Sequence, residues 1–255
     1  MLNGSRILDA EAGIDAQITK HLMVTATGGV QSVAFDRGPT QDFLLQGGHT
    51  EGGTISVRET INPRTSLTAD YDVRFATVAE TDTGGTATFT IQNSWAGAER
   101  RISSSLRAFG AFGVSRMGAT EISPARTGPA WRAGVSEEFQ KVGFDASYVR
   151  SYIPSFSFGG TQQNEALNGV VRLSLARRLS TQGSTSWQRN EPLTPDDLRL
   201  KSLWFNVQVG YALRPWIRIG AFYEHMHQTI DRPGGLLDLQ RLGVQVITTK
   251  PMRIR

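Results

Sequence analysis

Apolar and polar side chains alternate with a period of two through residues 201–230, and this alternation limits what the chain can fold into. From Leu203 to Leu213 every second side chain is apolar, and most of the side chains between them are polar or small. After Arg214 and Pro215 the alternation resumes from Ile217 to Tyr223. A strand places successive side chains on opposite faces, whereas a helix repeats near every third or fourth residue. The segment is therefore predicted to be a hairpin of two β-strands with one wet face.

The same alternation recurs along the chain, and its polar side carries charges. Residues 8–18, 22–30, 106–114 and 242–246 follow it, and so does the segment from Leu67 to Phe75. The polar positions of that last segment include three neighbouring charged residues, Asp70, Asp72 and Arg74. Three charges in succession would destabilise a dry protein core unless each were paired, but they are ordinary in a water-filled lumen.

Two further segments are expected to be strands. Phe89 and Ile91 alternate with polar residues, which predicts that they share the apolar face. A short polar strand is expected around residues 184–188.

Short basic turns and longer loops alternate between the predicted strands. The short turns are spaced by roughly 36 to 43 residues, about the length of two membrane strands with their connections. They lie near Lys20, Pro63, Arg100, Lys141, Arg178 and Arg214. The longer, mostly Gly/Pro-rich loops are expected at 36–48, 80–85, 119–128, 154–163, 193–197 and 231–235. This pattern predicts an all-β, antiparallel up-and-down transmembrane β-barrel of about 13–14 strands, with short periplasmic turns and longer extracellular loops.

Composition limits the remaining classes. The 255 residues are expected to form one barrel domain, 1–255, and no apolar run approaches the roughly 20 residues that a membrane-spanning helix needs. The absence of cysteine excludes disulfides and thiolate metal sites. The net charge of +4 comes mainly from arginines that are spread over turns and strand faces, so nucleic acid is not expected as a partner. Residues 1–9 lack the apolar core of a secretory signal, and we interpret the chain as one without its signal peptide or first strand.

The sequence also resembles a known family. The alternating strands, the arginine-bearing short turns and the run from Leu239 to Val246 are similar to those of β-barrel porins of Gram-negative outer membranes, especially a group found beside exopolysaccharide-export genes. The resemblance implies an outer-membrane channel or an accessory to polysaccharide export. It implies no catalytic residues.

No enzyme or metal site is predicted. His225 and His227 are two residues apart on one strand face, but the sequence indicates no third ligand. Asp70 and Asp72 are interpreted as a solvated lumen wall in preference to a general acid and base, because nothing in the sequence sets the distance between them. No catalytic residues, cofactor or metal are expected.

The polar face is where a permeation function would lie. Arginines recur on it with a few carboxylates, which predicts a hydrated, mildly cationic lumen that favours polar or anionic solutes. The lumen-lining candidates are Arg58, Asp70, Asp72, Arg74, Arg107, Arg132, Arg172, Arg218 and Glu224.

Aromatic residues near the predicted strand ends indicate where the membrane boundary lies. Amphipathic rings favour the headgroup zone of a bilayer. The candidates for such an aromatic belt are Trp95, Trp131, Tyr148, Tyr211, Trp216 and Tyr223.

These observations predict a pore, or an accessory to polysaccharide export, in the outer membrane of a Gram-negative bacterium. The expected partners are outer-membrane lipid, the barrel assembly machinery, and either polysaccharide-export components or further copies of the chain. Two alternatives remain: a structural or adhesion barrel plugged by its loops, and a soluble all-β binding protein.

Overall fold

The computed structural model describes residues 5–35, 47–79, 86–120, 124–154, 161–193, 199–214, 216–231 and 235–248. In this part of the chain thirteen β-strands form one sheet whose spatial order follows the sequence, and all neighbouring strands are antiparallel. The strands are β1 (Ser5–Gln17), β2 (Leu22–Phe35), β3 (Gly48–Asn62), β4 (Thr65–Ala79), β5 (Thr86–Arg101), β6 (Leu106–Met117), β7 (Arg126–Glu138), β8 (Val142–Pro154), β9 (Thr161–Ala176), β10 (Leu179–Pro192), β11 (Leu200–Arg214), β12 (Ile217–Ile230) and β13 (Leu236–Thr248). The predicted all-β, up-and-down antiparallel fold is confirmed.

The described residues contain no helix with the length and apolarity that a membrane crossing would require. The polar segment around 184–188 belongs to β10, which is longer than the sequence predicted. Neighbouring strands on both sides pair with β10 over nearly its whole length, so its register does not depend on apolar alternation of its own.

Short and long connections alternate as predicted. The short ones occupy 18–21, 63–64, 102–105, 139–141, 177–178 and 215–216, and together they define the short-turn end of the sheet. The other connections meet at the opposite end, which we call the long-connection end. Of the predicted loops, 80–85 lies outside the described residues, and the other five lie partly outside them. Pro215, in the predicted turn after β11, also lies outside them.

Strand register divides the sheet into two faces, because directly opposed residues in a ladder point to the same side. The inner face carries Asp70, Asp72 and Arg74 of β4, together with the residues opposite them on β3 and β5. The outer face carries the apolar positions between those charges. Its side chains are exposed, as at Phe112 (76%) and Leu242 (83%). The predicted two-faced design is thus present in the fold.

Phe89 and Ile91 differ from the prediction, because both lie on the inner face. The β4–β5 register pairs Ile91 with Arg74 and Asn93 with Asp72. Instead of facing water, the two apolar side chains are buried with others from three strands and a strand end. The cluster consists of Ala87, Phe89, Ile91, Met117, Tyr152 and Leu193.

This cluster exists because the last residues of β8 cross the inner face. β8 pairs with β7 only as far as Arg150, and beyond it the chain runs over β5 and β6. The backbone N–H of Tyr152 donates to Ser115 Oγ (3.2 Å), and Asn93 Nδ2 donates to the Tyr152 carbonyl (3.4 Å). A Cβ at Gly128 would lie 2.3 Å from the Tyr152 hydroxyl oxygen, so a side chain there would require the Tyr152 ring to shift.

The sheet is open in the part of the chain that the structure describes. β1 and β13 each pair with one neighbour, and they do not pair with each other. Because strand direction alternates and the number of strands is odd, β1 and β13 run in the same direction. Closing the cylinder directly between them would require a parallel strand pair.

Replacing Phe89 with Ala should destabilise the protein much more than replacing Phe112 with Ala. Phe89 is 1% exposed and Phe112 is 76% exposed. Loss of a buried phenylalanine side chain typically costs about 3–5 kcal/mol. The free energies of unfolding in urea, measured in detergent micelles, would show the difference. Equal losses would contradict the inner-face position of Phe89.

Candidate functional site: the charged inner face

Asp70 is the centre of one charged group on the inner face that joins three strands. Its Oδ1 accepts a hydrogen bond from Ser56 Oγ (2.5 Å), and its Oδ2 accepts one from Arg132 on β7. The Arg132 guanidinium also lies over the Trp95 ring, 5.0 Å from the ring centroid. These contacts hold an arginine from β7 against β4 and β5. Charge-assisted hydrogen bonds of this kind are roughly twice as strong as neutral ones.

Asp72 occupies the next inner position of β4 and is 5% exposed. It accepts hydrogen bonds from Thr54 Oγ1 (3.1 Å), Arg74 Nε (3.2 Å) and Asn93 Nδ2 (3.2 Å). Asn93 in turn accepts a hydrogen bond from Ser115 Oγ (2.5 Å), which receives the N–H of Tyr152. The Asp72 carboxylate is thereby linked through two polar side chains to the β8 segment that crosses the sheet.

The remaining lumen-lining candidates also lie on the inner face by register. Arg58 pairs with Glu99 at 3.0 Å, Arg172 pairs with Asp145, and Glu224 accepts a hydrogen bond from Trp204 Nε1 at 2.9 Å. Among the described residues Arg107 and Arg218 make no ion pair. Arg218 lies across the inner surface of Gly210, where a Cβ would come within 3.1 Å of its Cδ.

A recess on the inner face of β1–β4 was not predicted from the sequence. Its volume is about 250 Å³, and Pro154 at the end of β8 lies at its edge. The recess is lined by inner-face residues that include Asp9, Glu11, Thr50, Asp72 and Arg74. Alternation predicts that Asp9 and Glu11 lie on the polar face of their strand. It does not predict that Pro154 of β8 lines the same recess.

The aromatic-belt candidates are divided between the faces. Trp131, Tyr148, Tyr211 and Tyr223 lie on the outer face, and Trp216 lies in the β11–β12 turn. Tyr148 is at the middle of β8, and Tyr223 is at the middle of β12, opposite Val207 and Leu242. Trp95 differs from the prediction, because the register places it opposite Asp70 on the inner face, under Arg132.

A row of charges crosses the outer face at the long-connection end, and the sequence analysis missed it. Arg150, Glu165, Arg189 and Lys201 are directly opposed on β8, β9, β10 and β11. Arg150 pairs with Glu165 at 3.4 Å and lies over the Trp131 ring at 4.7 Å. We call these four residues the outer charged row. The sequence does carry a signal for this position. Arg150 is two residues after Tyr148, so both side chains lie on the same face of the strand.

The two histidines noted in the sequence lie on the outer face of β12, opposite Gln240 and Asp238 of β13. His225 Nε2 is 3.0 Å and His227 Nδ1 is 3.5 Å from Asp238 carboxylate oxygens. Within the described ranges, no group of three or more His, Cys, Asp or Glu residues is arranged to hold a metal ion.

The fold is similar to that of solved outer-membrane barrels. The FrpB iron transporter of Neisseria meningitidis matches 90% of this chain with a TM-score of 0.60 and 12% identity, and 45% of FrpB is covered. The outer membrane channel DcaP of Acinetobacter baumannii matches 94% of this chain with a TM-score of 0.55 and 13% identity, and 84% of DcaP is covered. The chain thus spans less than half the length of FrpB. No family model and no curated protein matches the sequence.

The Asp70–Arg132 pair should stabilise the fold more than the Asp145–Arg172 pair. The side chains of the first pair are 11% and 32% exposed, whereas those of the second are 43% and 56% exposed. Double-mutant cycles with Asp→Asn and Arg→Gln should give a coupling of about 1.5–3 kcal/mol for the first pair. For the second pair about 0.2–1 kcal/mol is expected. Equal couplings would show that solvent screens both pairs alike.

Proposed function

We propose that the chain forms an outer-membrane barrel that acts as a channel for polar solutes. The observation that supports this proposal is the division of one continuous sheet into a charged inner face and an outer face with exposed apolar side chains. Aliphatic and aromatic side chains with 40–80% exposure, such as Val246 (64%) and Phe205 (43%), suit contact with lipid. The similarity to FrpB and DcaP supports the fold of such a barrel.

The division into a charged inner face and an apolar outer face also supports a proposal about location and partners. A Gram-negative outer membrane would supply the lipid that covers the outer face, and the assembly machinery of that membrane would insert the sheet. Further copies of the chain would be homo-oligomeric partners. An accessory role in polysaccharide export is supported by the family resemblance of the sequence. Loss of surface polysaccharide in a strain without the gene would test that role.

Within this channel, the mildly cationic lumen is carried by arginines that have no carboxylate partner among the described residues. Arg107 lies at the short-turn end of β6, and Arg218 lies at the same end of β12. The other four candidate arginines, Arg58, Arg74, Arg132 and Arg172, pair with Glu99, Asp72, Asp70 and Asp145 respectively. The preference for anions is therefore expected at the short-turn end, where unpaired positive charges select permeants by sign.

Planar bilayer recordings in asymmetric potassium chloride should show a conductance with a preference for chloride. The combined variant Arg107→Gln, Arg218→Gln should reduce that preference, and Arg101, which lies opposite Arg107 on the same face, should retain part of it. Arg100→Gln is the matched control, because Arg100 is at the same end but on the outer face, opposite Ala108. A preference for potassium in the unmodified protein would contradict the cationic lumen.

A plugged structural or adhesion barrel is the second candidate, and one observation favours it. The ends of β8, β9 and β10 carry buried polar side chains at Ser151, Gln162, Asn164 and Asn190. These residues lie where β8 crosses the inner face, so the interior narrows at the long-connection end. Absence of conductance from a correctly folded, heat-modifiable protein would favour the plugged barrel over the channel.

The outer charged row is proposed to mark the headgroup boundary, with Trp131, which lies under Arg150, as a belt residue. A charged side chain at the bilayer midplane of a barrel costs about 2–4 kcal/mol, and near the interface it costs about 0–1 kcal/mol. A row that contains three cations is therefore expected at the interface. Tyr211 and Trp216 near the short-turn end would mark the other boundary.

Quenching by brominated lipids should distinguish the two faces. In a variant that retains Trp131 and carries Phe at the other four tryptophan positions, we expect strong quenching. A variant that retains only Trp95 should be quenched weakly, because Trp95 lies on the inner face under Arg132. Equal quenching of the two variants in vesicles would contradict the assignment of faces.

A further inference from the structure

The recess on the inner face of β1–β4 is built from rows of residues that lie opposite one another on neighbouring strands. Three successive rows of directly opposed residues cross these strands. The middle row places Glu11 on β1 and Arg74 on β4, with Gly29 and Gly52 between them. Because the two glycines have no side chains, the floor between Glu11 and Arg74 is bare backbone. The recess is therefore a gap framed by a carboxylate at one side and a guanidinium at the other.

The two flanking rows supply polar walls. One contains Asp9, Gln31 and Thr50, and the other contains Thr27, Thr54 and Asp72. Pro154, at the end of the crossing segment of β8, also lines the recess. The recess thus has polar walls and a backbone floor, a concave form that suits a small molecule.

The acidic side of the recess is not neutralised by the protein. The carboxylates of Asp9 and Glu11 make no ion pair or side-chain hydrogen bond with another described residue. They are two residues apart on one strand face, so their Cα atoms are separated by about 7 Å. Side chains that reach into the same gap from this distance can both approach one ammonium group, which offers three N–H donors.

Thr50 is a second, independent indication of a ligand. Its side chain is 8% exposed, it lines the recess, and its Oγ1 has no hydrogen-bond partner. A buried polar group without a partner costs free energy comparable to a lost hydrogen bond. A donor that reaches this oxygen from the recess would satisfy it.

The opposite side of the recess retains donors for an anion. Arg74 contacts Asp72 through Nε, and its side chain is 48% exposed. A guanidinium has five N–H donors, so this contact leaves others available to a carboxylate.

We propose that the recess binds a small zwitterion, with its ammonium group at Asp9 and Glu11 and its carboxylate at Arg74. Opposite charges at the two ends of the bare floor favour a solute that carries both charges over one that carries either alone. The proposal concerns binding and holds whether or not the barrel conducts ions.

Isothermal titration of the full chain in detergent with 4-aminobutanoate tests the proposal. The probe should bind at least about tenfold more tightly than butanoate, which lacks the ammonium group, or 4-aminobutan-1-ol, which lacks the carboxylate. The variant Asp9→Asn, Glu11→Gln should reduce affinity for 4-aminobutanoate by about tenfold or more and leave butanoate binding unchanged. Equal binding of all three probes would overturn the proposal.

Three further variants separate a specific site from a general charge effect. Arg74→Gln should weaken 4-aminobutanoate but not 4-aminobutan-1-ol, and Thr50→Val should weaken both amines. Asp15→Asn is the matched control, because Asp15 lies on the same face of β1 but outside the recess, where Thr25 donates to it at 2.7 Å. If Asp15→Asn weakened binding as much as the Asp9 and Glu11 changes, the recess would not be the site. Heat-modifiable mobility would verify that each variant is folded.

Discussion

The two-residue period of side-chain direction is the constraint on which the rest of this structure depends. Register keeps every charged position of β4 aligned with inner-face positions of β3 and β5. A slip of one residue in any strand would move its charges to the apolar side and its apolar side chains to the charged side. The large difference between the faces therefore fixes the register over the whole sheet, although no compact apolar core spans it.

Hydrogen bonding of Asp72 links this register to the shape of the interior. A carboxylate that is 5% exposed needs partners, and three donors from β3, β4 and β5 supply them. Asn93 extends the network to Ser115, and Ser115 holds the backbone of Tyr152. The position of the crossing segment thus depends on the same charged face that the strands present to water. Polar groups do here what an apolar core does in a soluble sandwich.

Much of this fold follows from local alternation and turns, and those features were read from the sequence. Leu203 to Leu213 and Leu67 to Phe75 were assigned to the correct faces because each has strong contrast between neighbours. Phe89 and Ile91 lie on the opposite face from the one predicted. Alternation shows that two faces differ in polarity, but it does not show which face is exposed to water. An apolar side chain on the inner face is tolerated only where another segment covers it, and the approach of Tyr152 is a long-range contact.

The same limit applies to the candidate sites. Charged positions such as Arg132 and Arg172 were found from alternation, but their partners lie 62 and 27 residues away and depend on register. Trp95 was assigned to a membrane belt from its residue type, whereas Asp70 and Arg132 place it on the inner face. Arg150 carries no prediction from the sequence, although it lies over the Trp131 ring on the outer face.

Unpaired acidic and unpaired basic side chains lie in different parts of the inner face. This separation connects the proposed anion preference with the proposed zwitterion site. Asp9 and Glu11 are unpaired on β1 near the long-connection end, whereas Arg107 and Arg218 are unpaired at the short-turn end. Paired charges between them contribute little net field, because each arginine is close to its carboxylate. A solute that carries both charges would meet the unpaired acids and Arg74 in the recess and then the unpaired arginines. On the two proposals, selectivity along such an interior would be set by the unpaired acids and arginines together with Arg74, and not by the excess of arginine in the composition.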